Sequence, residues 1–134
     1  MRKDIEVPEV KNVLVAIVRE VNELNQNIWS VHLINRNGFE LENTLVASKG
    51  YGQVEGAQQK TSTLRHFLET VPANGTALIE PIQEELFHLN NEYWLSYYVG
   101  GQIYDKKFTF LPESITEENL SYIKEIDKEG VLHS

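Results

Sequence analysis

The chain has 134 residues, a net charge of −8, 41% apolar residues and no cysteine. That length suits one domain with its own core, and the missing cysteines exclude disulfides, thiolate nucleophiles and cysteine-ligated zinc or iron–sulfur centres. Lys and Arg are scattered, with no group denser than Lys106-Lys107, so no nucleic-acid partner is expected.

The N-terminus, Met1-Arg2-Lys3-Asp4-Ile5-Glu6, has two positive charges but no apolar run behind them. It does not read as a signal peptide. The longest apolar run, Val13 to Val18, is too short to span a bilayer. The expectation is a cytoplasmic protein with no membrane part. No repeat or low-complexity tract appears. The chain reads as one domain over 1–134, with a loose N-terminal arm at 1–10 and a loose C-terminal tail at 127–134.

Residues 11–22 open with an unbroken β-branched run, which predicts a strand buried on both faces. Residues 22–27 read as a turn by their asparagines. From Ile28 to Asn35, Trp29, Val31 and Leu33 alternate with Ser30 and His32, the pattern of a half-buried strand. Asn37-Gly38 is the strongest short turn signal. Phe39 and Leu41 resume the apolar pattern, Leu45-Val46-Ala47 makes a third strand or its continuation, and Gly50-Tyr51-Gly52-Gln53-Val54-Glu55-Gly56 reads as a glycine-rich loop. Over 61–71, Leu64, Phe67, Leu68 and Val71 fall at helix spacing, which predicts a helix, with a strand as rival because Thr61, Ser62 and Thr63 favour extended chain. Thr76 to Glu80 is a short strand. Pro81 to Leu89 reads as one or two helical turns.

Tyr93 to Val99 and Gln102 to Leu111 are aromatic, alternating runs flanking Gly100-Gly101, which predicts a two-residue hairpin. The register follows. Val99 opposes Gln102, Tyr97 opposes Tyr104 and Tyr93 opposes Phe108, a core-like face shared with Leu95. The other face pairs Trp94 with Lys107, Ser96 with Asp105 and Tyr98 with Ile103. Thr116-Glu117-Glu118-Asn119 looks like a helix start over 116–126.

Together these elements predict a mainly β protein, an antiparallel β-sandwich with one or two short helices. An immunoglobulin-like arrangement is one candidate, without a Cys-Trp-Cys signature to support the name. The alternative is an α+β fold with one helix on an antiparallel sheet.

The stretches Val46-Ala47-Ser48-Lys49-Gly50-Tyr51-Gly52, Asn90-Asn91-Glu92-Tyr93-Trp94 and Ile103-Tyr104-Asp105-Lys106-Lys107-Phe108 resemble those of a family of short bacterial proteins without an established activity. The resemblance covers most of the chain. Some members are labelled as an alpha-subunit of phenylalanyl-tRNA synthetase. A synthetase catalytic domain is longer and needs two arginines in particular strand contexts. Arg2, Arg19, Arg36 and Arg65 stand in neither. The resemblance implies a compact fold and no activity.

The glycine segment is spaced G-x-G-x-x-x-G, one residue off the dinucleotide fingerprint, and lacks the Gly-Lys-Ser/Thr of a phosphate loop. His32, His66, His88 and His133 show no metal-site spacing. His66 with Glu69, or Glu84 with His88, leaves a zinc site half built, so no metal or cofactor is expected. Ser48 beside Lys49 is the nearest thing to a nucleophile, but neighbours on a strand point to opposite faces. Asp105, an acid in an aromatic strand, needs solvent or a partner.

Two functions are therefore expected as rivals. One is a non-enzymatic interaction module using Trp94, Tyr98, Asp105 and Lys107, with a protein partner or a second copy at the 93–111 hairpin. The other is a small ligand-binding protein or enzyme using Ser48, Lys49, Gly50 and Gly52 near His66 and Glu69.

Overall fold

The structure, a computed structural model, describes residues 8–134. Among the described residues ten strands form in chain order: β1 (Val13–Val21), β2 (Asn27–Asn35), β3 (Leu41–Val54), β4 (Ala57–Lys60), β5 (Leu64–Val71), β6 (Thr76–Ile82), β7 (Asn90–Val99), β8 (Gln102–Phe110), β9 (Ser121–Ile123) and β10 (Lys128–His133). They make two antiparallel sheets packed face to face, a β-sandwich. The first sheet runs β6-β2-β1-β10-β9. The second runs β4-β3-β7-β8, with β5 also paired to β3.

The core lies between the sheets. Val13, Val15, Ile17, Val31 and Leu33 of the first meet Leu41, Val46, Tyr93, Leu95 and Phe108 of the second. Each fully buried side chain of this kind contributes roughly 1.5–3 kcal/mol. The alternate residues of β1, Leu14, Ala16 and Val18, are buried too, in a second cluster with Ile34 and Ile123. The unbroken apolar run of β1 thus reflects burial on both faces, as expected.

The β7–β8 hairpin has the expected register throughout. Gly100 and Gly101 adopt φ of 56° and 83°, the pair of positive values that a primed two-residue turn requires. Tyr93, Leu95, Tyr97 and Phe108 are buried on the inner face. Burial, with the neighbouring Tyr104 ring, pushes the Tyr97 hydroxyl up to about 12.

Several expectations are corrected. Residues 61–71 hold a strand, β5, not a helix. Its apolar positions do not share one buried stripe: Val71 is buried while Leu64 and Phe67 are exposed. A bulge at Glu69, with φ of 59°, keeps β5 aligned on β3 despite the spacing. The segment 50–56 is not a loop. Gly50 and Gly52 continue β3, which turns at Glu55-Gly56 into β4.

The helix expected over 116–126 is a single 3-10 turn at Glu117–Asn119, followed by β9. Thr116 makes no capping bond. In the segment 81–89, Pro81 and Ile82 end β6 and only Glu84–His88 forms a 3-10 turn. The tail expected to be loose at 127–134 contains β10, which lies between β1 and β9 in its sheet. Most of the N-terminal arm, residues 1–7, lies outside the described residues, and Val10 at its end is packed in the core.

Candidate functional site

Two places gather the residues expected to act. One is the outer face of the second sheet. Cross-strand pairing sets the rows: Phe67–Leu45–Ser96–Asp105, then Arg65–Ala47–Trp94–Lys107. Tyr98 and Ile103 extend the face toward the turn. Phe67 is 61% exposed, Trp94 49% and Tyr98 37%, and Leu45 and Ile103 are exposed beside them. Apolar side chains thus run across β5, β3, β7 and β8 with nothing packed over them among the described residues.

The polar groups of this face are partly ordered. Glu92 is buried at its edge, with Lys49 Nζ at 3.8 Å and Lys107 Nζ at 4.0 Å. Lys107 Nζ also sits 4.8 Å from the centre of the Trp94 ring. The carboxylate therefore draws one lysine into a position where it also meets an indole. Asp105 is exposed and forms no ion pair among the described residues. Trp94, Tyr98, Asp105 and Lys107 all lie on this one face. Phe67, Leu45 and Glu92 join them. Reading 61–71 as a helix concealed Phe67, while Glu92 shows no sequence signal beyond its place two residues before Trp94.

The other place is inside the sandwich. Glu80 projects from β6 toward the second sheet. Its Oε1 accepts a hydrogen bond from the Ser48 hydroxyl at 2.8 Å and lies 2.7 Å from His66 Nε2. The Tyr93 hydroxyl donates to its Oε2 at 3.4 Å. Burial, and then the nearby carboxylate, push the Tyr93 hydroxyl well above its ordinary range. One acid of the first sheet thus ties β3, β5 and β7 of the second.

Of the residues expected around the glycine segment, Ser48 and His66 meet at this acid. Lys49 points to the opposite face, toward Glu92. Glu69 is exposed and does not join. Gly50 and Gly52 make room for a neighbour: a Cβ on either would stand 3.3–3.4 Å from a Leu89 methyl. At Gly52 that is tighter than ordinary contact, and at Gly50 it is ordinary van der Waals distance. The hollow beside the cluster holds about 100 Å³, well under the volume of an ordinary ligand pocket. Ser48 donates to a carboxylate and not to the imidazole, so the geometry lacks the nucleophile-to-base bond of a catalytic dyad. A larger open groove, about 670 Å³, runs past Arg36, Tyr122 and Lys124. Its arginine is already bound to Glu125, at 2.6 Å.

No group of three or more His, Asp or Glu placed to hold a metal occurs among the described residues. Among them, too, no helix is long and apolar enough to cross a membrane. Comparison with protein-family models, with curated proteins and with solved structures returns no match.

Proposed function

We propose that this chain is a non-enzymatic, cytoplasmic interaction module whose partner surface is the outer face of the β3–β5–β7–β8 sheet. The observation that carries this reading is the run of exposed Phe67, Leu45, Trp94, Tyr98 and Ile103 across four paired strands. Aromatic rings on stiff strands offer large contact area at low entropic cost. Lys107 held over Trp94 and the exposed Asp105 supply charges at the rim. The ligand-site reading has one observation in its favour, the convergence of Ser48, His66 and Tyr93 on Glu80. That cluster spends its donors on one internal acid and serves better as a tie between sheets.

The test is capture from native lysate by wild-type protein and by the Trp94→Ala, Tyr98→Ala double variant. Circular dichroism would show that both are folded. A partner retained by the wild type and lost by the folded variant supports the reading. A partner held equally by both moves the surface elsewhere.

A further inference from the structure

The hairpin has an edge as well as a face. Three features of β8 single it out among the strands that end the sheets. It is nine residues long and pairs with β7 without any register shift. The other edges are blunted. β9 and β4 are short, β6 contains Pro81 and a register shift, and β5 is bulged. β8 has no strand on its outer side among the described residues.

The backbone phase follows from the turn. In a two-residue hairpin Val99 and Gln102 form the hydrogen-bonded closing pair, and bonded and non-bonded pairs then alternate. Tyr104, Lys106 and Phe108 therefore bond to β7. Ile103, Asp105, Lys107 and Thr109 turn their N–H and C=O groups outward. In agreement, the Ile103 carbonyl accepts from the Gln102 side chain at 3.3 Å, off the ladder.

The outward residues are self-complementary in charge. Take a two-fold axis at Lys106 and an antiparallel second strand. Residue pairs then sum to the same total on both sides of the axis. Asp105 meets the partner's Lys107, and Lys107 meets the partner's Asp105. Ile103 meets the partner's Thr109. All four are the residues whose backbone groups face outward, so the hydrogen-bond phase and the charge pattern select the same register. The like charge on the axis, Lys106, is turned along its own strand, with Nζ 5.0 Å from the Phe108 ring.

We propose that a second copy of this chain docks along β8, antiparallel and two-fold, with Asp105 of each copy against Lys107 of the other. This goes beyond the interaction reading: it places a second copy at the strand's edge, apart from the aromatic face which that reading uses. The dimer joins two sheets into one and lays a row Trp94–Lys107 against the partner's Asp105 and Ser96.

Sedimentation equilibrium on the wild type, Asp105→Lys, Lys107→Asp and the doubly swapped protein tests it. Each single change sets like charges opposite each other at two symmetric places and should raise the dimer Kd about tenfold or more. The double swap restores both pairs and should return the Kd to near wild type. Lys107→Asp also brings an acid toward Glu92, so a measurement without substitutions stands beside it. In wild-type protein the amides of 103, 105, 107 and 109 should exchange more slowly as concentration rises. A wild type that stays monomeric, or a folded double swap as weak as the single changes, overturns the proposal. So do amides that exchange alike at every concentration. The Trp94→Ala, Tyr98→Ala variant should remain dimeric. Should it fall apart while the charge variants do not, the second copy sits on the aromatic face and the edge is wrong. If the wild type is monomeric yet captures a partner that this variant loses, the edge fails while the face reading survives.

Discussion

The two sheets differ in what covers their outer faces. On the first sheet Leu14, Ala16, Val18 and Ile34 point outward, and Ile123, Ile126 and Leu132 pack against them. Ile123 comes from the β9–β10 hairpin, which folds close because Gly130 leaves room: a Cβ there would stand 2.8 Å from Ile123 Cδ1. On the second sheet Trp94, Tyr98 and Phe67 point outward and stay exposed. The composition of each face matches its fate. Around β1 and β10 the covered face is aliphatic, while at its β2–β6 end Ser30 and His32 are half-buried and Leu78 is exposed. The open face mixes large aromatics with Lys, Arg, Asp and Ser, groups that tolerate water and also serve at an interface. An apolar face left open across four strands of one sheet, when the same chain buries the middle of the other, is the main reason to read it as a binding surface.

The comparison breaks hardest at the cover. Ile123→Ala empties a fully buried site and should destabilise the protein by about 2–5 kcal/mol, read as a lower urea midpoint. A loss under about 1 kcal/mol would mean that the hairpin contributes little and that both outer faces are effectively open.

An effect of similar size concerns the tie between the sheets. Glu80→Ala leaves the Ser48 and Tyr93 hydroxyls without their acceptor. Each buried group left unpaired costs about 1–3 kcal/mol, whereas Glu80→Gln keeps an acceptor and should lose less. Equal losses in both variants would show that the charge, and not the hydrogen bonds, holds the sheets together there.

How much of this was legible follows from range along the chain. The β7–β8 register was readable because Gly100-Gly101 and the alternation around it are local signals, and the strand β1 announced its double burial by an unbroken apolar run. The cover was not readable. Thr116-Glu117-Glu118 carries the composition of a helix start, but the segment that follows, with Leu120, Ile123 and Ile126 as its apolar anchors, is too short to hold a helix by itself. Pairing with β10 wins instead. β10 itself resembled a tail, since Gly130 suggests a break until Ile123 is seen to occupy the space its missing side chain leaves. Glu80 was invisible as a site residue because its partners Ser48 and His66 lie 32 and 14 positions away, a distance no periodicity spans. Trp94, Tyr98, Asp105 and Lys107 were legible as one face because a single hairpin sets them, while Phe67 needed β5 to be recognised as a strand.

A smaller effect, in pH, probes the outer face of the first sheet again. Burial, with some help from the charge of Lys128, lowers the pKa of His32 below its ordinary 6.5. The folded protein thus resists a proton that the unfolded chain accepts. The sign is then fixed: this contribution is whole above about pH 6.5 and is lost as pH falls toward the lowered folded value. The urea midpoint should drop between pH 7.5 and 5.5, and His32→Gln should flatten that drop. A variant with an unchanged pH slope would show that His32 is solvated, and so that the outer face of the first sheet is more open at its β2 end than the packing indicates.

The smallest expected change in stability belongs to the residues proposed to matter most for binding. Trp94 is half exposed and Tyr98 more than a third, so truncation exposes little new surface. The largest specific loss is the contact of Lys107 with the indole, worth about 0.5–1 kcal/mol at an exposed site. Trp94→Ala with Tyr98→Ala should therefore lower stability by about 1 kcal/mol, several-fold less than Ile123→Ala, while abolishing partner capture. Such a separation of binding from folding is what an open face implies. A loss as large as that of Ile123→Ala would place these rings in a packed layer, make the two sheets alike, and remove the reason for calling this face a binding surface.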